Sequence, residues 1–290
     1  MNSTIGRHVN VDIFDSDSIS RTIEYLKETN YKIIQFFVPG YYSPKYNELL
    51  EYLVKELINL DIRIVIHGSY TINLCHPMNS TKGLYSITKL INEMKISSEL
   101  NKISNEFNGK YICYGVIIHM GKNIKELNIS MNESIDNFKK NLDFILKKVS
   151  LESQKIILET GAGIRNEISS DYETMSKIIG MNNRLGLCID TCHVWVGNYA
   201  DLETQKSTKQ YLELMNKIPG GITIFHLNDS IYGKNSRKDR HAPIGKGTIP
   251  LKSLKTVVKF AINNNIPLVL ETIDDVFSED LNYEMKLLTT

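Results

Sequence analysis

The chain has 290 residues, with 34 basic against 33 acidic side chains and a net charge of +1. Its 42% hydrophobic content can build a sizeable core, and its length favours one large domain spanning residues 1–290. No run of about 18 apolar residues exists, which excludes a membrane-spanning helix, and the balanced charge argues against a surface that attracts a polyanion as a whole.

In chain order, short apolar and β-branched runs alternate with longer stretches of helical periodicity. Ile5–Val11 reads as a strand and Ser18–Thr29 as a helix, with Ile19, Ile23 and Leu26 on one face and Asp17 as its N-cap. Lys32–Val38 is the second strand. Asn47–Asn59 follows, with Leu49, Leu50, Leu53, Val54, Leu57 and Ile58 at helical spacing. Ile62–His67 is the third strand, and Thr81–Phe107 holds one bent helix or two. Then come strand Ile112–His119, helix Asn132–Val149, strand Lys155–Thr160 and helix Asp171–Ile179. Strand Arg184–Asp190, helix Thr204–Ile218, strand Gly221–Leu227, helix Leu251–Asn263, strand Pro267–Thr272 and helix Ser278–Leu288 complete the set.

Runs such as IRIVIH, YGVIIH, KIILE and PLVLE are apolar throughout, which suits strands covered on both faces in a parallel sheet. Eight strands and eight helices in strict alternation predict an α/β fold, a single (β/α)8 TIM barrel with its active site at the C-terminal ends of the strands. A doubly wound open sheet would carry a glycine-rich phosphate turn after an early strand. The first strand here runs into NVDIFDSD instead.

The strand ends carry the chemistry. From the third strand to the eighth they end on, or one residue short of ending on, His67, His119, Glu159, Asp190, His226 and Glu271. His193 lies three residues past Asp190 in LCIDTCHVW. Asp239 and His241 lie in the polar loop SIYGKNSRKDRHAPIGKG and face one way if that segment is extended. Imidazole and carboxylate together are ligands for zinc, manganese or iron. A lone histidine at a strand end is more often simply hydrogen-bonded, but that reading must hold independently at six strand ends and two loops. Nine ligands exceed the roughly four that one zinc takes, and three metals with water filling the gaps fit the number. Clustered metals are apparatus for phosphate-ester cleavage. Of the remaining histidines, His8 reads as a packing or supporting residue and His76 as a loop residue.

These residues also carry a resemblance. GLCIDTCH (Gly186–His193), HLNDS (His226–Ser230) with DRHAPIGKG (Asp239–Gly247), HGSYTINLCHP (His67–Pro77) and PLVLET (Pro267–Thr272) resemble endonuclease IV, the apurinic/apyrimidinic (AP) endonucleases of the xylose-isomerase-like barrels. The matches run from the first strand to the eighth. The resemblance implies three Zn²⁺ per chain: one on His67, His119 and Glu159; one on Glu159, Asp190, His226 and Glu271, with Glu159 shared; one on His193, Asp239 and His241. It implies cleavage of the phosphodiester 5′ to an abasic site, leaving a 3′-hydroxyl, and trimming of blocked 3′ ends. Glu271 and Glu159 would then be the catalytic carboxylates orienting the attacking hydroxide. The implied partner is damaged double-stranded DNA, and the implied state is a monomer.

Two stretches depart from the family. After the fifth strand the family's Asn-Thr-Ala-Gly-Gln-Gly run is replaced by ETGAGIRNE, which puts Arg165 forward as a different phosphate contact. After the second strand the family has an arginine that enters the duplex. Here FVPGYYSPKY places Tyr42 nearest that position, beside Tyr41, and an aromatic face can fill the gap left by a missing base. The tyrosine of HGSY is kept as Tyr70. Arg237 and Arg240 flank ligand positions and are the favoured phosphate contacts among a scatter that includes Lys122, Lys234, Lys238 and Lys246.

A sugar isomerase on the same barrel would use Glu159, Asp190, His226 and Glu271 around one metal, and it would leave the other five positions without a joint role. A non-catalytic damage binder would tolerate lost ligands, and none is missing. The four cysteines are too few and too scattered for a disulfide scaffold, and the N-terminus shows no secretory leader. An intracellular, reducing compartment is therefore expected, with Cys188 and Cys192 read as packing residues.

Overall fold

The structure, a computed structural model, describes residues 4–125, 128–149, 154–272, 284 and 287–288. The predicted helix Ser278–Leu288 lies outside the described residues, apart from 284, 287 and 288. The barrel strands are β1 (Ile5–His8), β2 (Ile33–Phe37), β3 (Arg63–His67), β4 (Cys113–His119), β5 (Lys155–Glu159), β6 (Leu185–Asp190), β7 (Ile222–His226) and β10 (Leu268–Leu270). They follow one another as β1-β10-β7-β6-β5-β4-β3-β2 in a closed parallel barrel, the predicted (β/α)8 fold. The short strands β8 (Asp229–Ser230) and β9 (His241–Ala242) form a separate antiparallel pair. No helix among the described residues is long and apolar enough to cross a membrane.

The chain divides into two compact units, Val9–Leu158 and Met1–His8 with Glu159–Thr290. In the first, helix α1 (Ser16–Lys27) starts two residues earlier than predicted, because Asp15 rather than Asp17 caps it: its carboxylate accepts from Ser18 N at 2.7 Å. Helix α2 is Asn47–Asn59. Helix α3 (Thr81–Asn108) is one continuous helix of 28 residues, ended by Gly109 at φ +69°. Its apolar stripe was hard to read because polar side chains share the buried face. Asn101 there accepts from Ile112 N and Cys113 N, and Ser104 donates to Lys110 O. Helix α4 (Met131–Lys148) opens on a capping box between Ser130 and Glu133.

In the second unit, α5 (Tyr172–Ile179), α7 (Gln205–Met215) and α8 (Leu251–Asn263) match predicted helices. Helix α6 (Thr191–Gly197) was not predicted. Its sequence, TCHVWVG, continues the apolar run of β6 and hides the boundary. The boundary is set by Asp190, whose carboxylate accepts from His193 N at 2.8 Å as the N-cap. Every residue of β6 is buried, as a strand covered on both faces requires.

Candidate metal centre

Strands β3 to β7 end on His67, His119, Glu159, Asp190 and His226, and Glu271 follows directly on β10. In the second unit Glu159, Asp190, His226 and Glu271 bring four ligand atoms within 4.8 Å of one another. The His226 Nδ1 atom is 2.8 Å from Glu159 Oε1 and 3.2 Å from Glu271 Oε2. Glu159, Asp190 and His226 are fully buried.

A second group of three is formed by Asp190, His193 and His241. Here Asp239 lies 3.1 Å from His193 Nε2 and 3.3 Å from His241 Nε2. The short β8–β9 ladder pairs Ser230 with His241 and so folds the 230–247 loop back on itself. His193 Nδ1 donates to the carbonyl of Thr160 at 2.8 Å, so the proton the ring must give up to become a ligand is the one on Nε2, which faces Asp239. Cys192, read from sequence as packing, groups with Asp239 and His241 at the same range.

In the first unit the rings of His67 and His119 are 5.3 Å apart. His67 Nδ1 donates to Gly68 O at 2.8 Å, again reserving Nε2 for a ligand role. Tyr70 covers both rings at 5.2 and 5.4 Å and is 70% exposed.

Electrostatics follow from crowding. Burial works against a charged His193, but Asp190, Asp239 and Glu159 outweigh it and hold its pKa well above the ordinary 6.5. Burial likewise opposes a charged His226, and the Glu271 and Glu159 carboxylates, with a hydrogen bond to the Cys188 sulfur, override it. Burial pushes Asp190 up, against His193 and His241. Burial also favours a neutral Asp239, yet its hydrogen bonds to His193 and His241 prevail and pull it down. Burial pushes the Cys188 and Cys192 thiols up to about 12, so both are thiols rather than thiolates at neutral pH. The donor set fits a cluster of divalent cations: carboxylates and imidazoles converge in a buried place where a cation would replace the protons these groups otherwise share.

Asn228, inside HLNDS, has a role that the polarity of the strand ends does not signal. Fully buried, it donates to Asp190 Oδ2 at 2.6 Å and to Glu271 Oε2 at 3.0 Å, and its carbonyl accepts from Glu271 N at 3.0 Å. Thr191 fixes its backbone. The available signal was alternation, since Asn228 lies two residues past His226 in an extended segment.

The remaining predicted residues lie as follows. Arg165, Arg237 and Arg240 are exposed, and Arg240 donates to Asp239 O at 2.6 Å. Lys234 is held by Asp201 and Glu203, and Lys238 lies over the Tyr232 ring. Tyr42 is half-buried with its hydroxyl donating to Asn47, whereas Tyr41 is 53% exposed.

A family model described as xylose isomerase-like TIM barrel matches residues 23–288. A protein of Acanthamoeba polyphaga mimivirus named as an endonuclease 4 is 35% identical over 98% of this chain and 90% of its own length. One of Mycoplasmopsis synoviae, similarly named, is 34% identical over 84% of this chain and 81% of its own. The crystal structure of endonuclease IV from Thermus thermophilus superposes with a TM-score of 0.78 at 21% identity, covering 99% of both chains. The chain belongs to the endonuclease 4 family of xylose isomerase-like TIM barrels.

Proposed function

We propose that this protein is an AP endonuclease of base excision repair, hydrolysing the phosphodiester 5′ to an abasic site to leave a 3′-hydroxyl, and trimming blocked 3′ ends. The observation that carries the reading is the grouping of Asp190, His193 and His241 in a chain of this family, beside the meeting of Glu159, Asp190, His226 and Glu271 within 4.8 Å. A sugar isomerase would need only that set. The further grouping of Asp190, His193 and His241 supports more than one metal.

Zinc is the proposed metal, three ions per chain, with Glu159 shared between the His67–His119 pair and the Asp190–His226–Glu271 set, and the third on His193, Asp239 and His241. When bound, the ions would supply Lewis-acid stabilisation of charge on phosphorus and acidify the attacking water. Glu159 and Glu271 orient the nucleophile, and Asn228 keeps the carboxylates of Asp190 and Glu271 in place. Arg165, Arg237 and Arg240 contact phosphates, and Tyr70 offers its exposed ring to the lesion. Positive potential is then local and metallic, which reconciles a net charge of +1 with a DNA partner. The whole chain acts as one catalytic domain and a monomer. Its free, buried cysteines fit a reducing compartment.

Metal content by mass spectrometry, with an incision assay on a duplex holding one abasic site, tests the reading. About three zinc ions and incision on the 5′ side support it. One metal per chain, or an intact abasic duplex, overturns it. Glu271→Gln separates an enzyme from a binder, because incision collapses while DNA binding survives.

A further inference from the structure

Helix α3 presents Lys89, Asn92 and Glu93 on one face, at spacings of three and four residues. All three are buried, where polar side chains are costly unless each is used. Each reaches a loop rather than a strand. The Asn92 carbonyl accepts from Tyr42 N at 3.0 Å, and its amide donates to Gly40 O at 3.1 Å. Glu93 Oε1 accepts from Ser69 N at 3.2 Å. Lys89 is 3.5 Å from Glu93, points at Val38 O and lies 5.6 Å from the centre of the Tyr41 ring.

The two loops so held follow β2 and β3. One exposes Tyr41, the other Tyr70. Gly68, at the root of the second loop, is wedged so tightly that a Cβ there would lie 2.8 Å from Ile117 O and 3.2 Å from Glu93 Oε2. The pinning explains why Tyr42 is not the free ring. Its N–H is tied to Asn92 and its hydroxyl to Asn47, and the preceding residue turns outward.

We propose that Lys89, Asn92 and Glu93 are positioning residues that hold both aromatic loops, and that Tyr41, rather than Tyr42, is the aromatic face offered to a lesion beside Tyr70. The proposal rests on the reading of the protein as an AP endonuclease. Stacking of a base on a rigid aromatic ring is worth enough to move affinity, but only if the ring's loop is ordered beforehand.

Two measurements on the full-length, metal-loaded protein test it. Amide hydrogen exchange reads the clamp without any substrate. Asn92→Ala is expected to speed exchange in the 40–42 segment about tenfold. Glu93→Ala does the same at Ser69, and Glu93→Gln, which keeps an acceptor, restores protection there. Unchanged protection in the alanine variants overturns the clamp and leaves the functional reading standing.

Incision kinetics on a duplex with one tetrahydrofuran abasic site read its use. Tyr41→Ala is expected to raise KM about tenfold with kcat altered little, while Tyr42→Leu, which removes that ring, leaves KM near wild type. In the double-mutant cycle, Asn92→Ala adds little to Tyr41→Ala, because both remove one contact. Full additivity, or a KM that follows Tyr42 instead, overturns the assignment of Tyr41. A wild-type protein that leaves the abasic duplex intact fails the functional reading itself, and this inference with it.

Discussion

Glu159 Oε1 sits 2.8 Å from His226 Nδ1, and both side chains are fully buried. Without metal, that contact is an ion pair whose proton is held by the carboxylates crowding His226 and His193. Both imidazoles titrate well above 6.5, so their stabilisation is complete below that pH and is lost as pH rises through the raised values. Asp190, raised by burial, acts in the same direction from its lower starting point. Metal binding runs the opposite way, since an imidazole must lose its proton to become a ligand. Metal-stripped protein should therefore lose thermal stability from about pH 6.5 upward, while the Tm gap between zinc-loaded and stripped protein widens over the same interval. Thermal scans of both forms across that range check this. A gap that narrows with pH refutes the ligand assignment of these histidines.

Asn228 should matter as much to metal affinity as a ligand does, without being one. It holds Asp190 and Glu271 at 2.6 and 3.0 Å and is itself held by Thr191. Asn228→Ala frees both carboxylates to rotate, and the expected loss is about 10- to 100-fold in metal affinity. Competition with a chelating dye measures it directly. An unchanged affinity would mean that backbone alone fixes the two carboxylates.

Much of this was legible in the sequence for a simple reason. A strand buried on both faces is a continuous apolar run, so the first polar residue after it marks its end. His67, His119, Glu159, Asp190 and His226 were found that way. What escaped were places where that contrast fails. Helix α6 follows Asp190 with TCHVWVG, as apolar as the strand before it. The β8–β9 ladder is two residues long on each side and lies in a stretch with the composition of a loop. The polar face of α3 was unreadable because Lys89, Asn92 and Glu93 are buried for loops distant in sequence, and periodicity carries no record of such partners.

The loop that brings Asp239 and His241 in is organised by one carboxylate. Asp229 is fully buried and accepts from the backbone N–H groups of Ser230, Gly245, Gly247 and Ile249 at 2.7–3.0 Å. Burial pushes its pKa up, with those four donors opposing. Gly247 must be glycine, since a Cβ would overlap the carboxylate. Asp229→Ala leaves four backbone donors without their acceptor, those of Ser230 and Ile249 buried, and a loss of about 3 kcal/mol is expected. The same variant should retain less metal, because Asp239 and His241 are no longer delivered together. Denaturant unfolding and metal content, measured on one preparation, test both parts. Full stability in Asp229→Ala would show that the β8–β9 pairing suffices to hold the loop.

Glu93 makes a pH prediction of its own, separate from the histidines. Burial pushes its carboxyl up to about 7, with Lys89, Ser69 and His67 pulling against the shift. A carboxyl raised in this way favours the fold when protonated. Its contribution is complete below 4.5 and is lost as pH climbs to about 7, whereas the contribution of the histidines starts to be lost only above 6.5. Above pH 7 the wild-type chain carries a buried carboxylate that Lys89, at 3.5 Å, compensates only in part. Glu93→Gln keeps an acceptor for Ser69 and removes the charge. In metal-free protein it should raise stability above pH 7 by up to about 3 kcal/mol, less whatever Lys89 loses with its partner, and it should make no difference near pH 4. A variant equally stable to wild type at both ends of the range would mean that Lys89 neutralises Glu93 fully, and that the carboxylate is charged throughout.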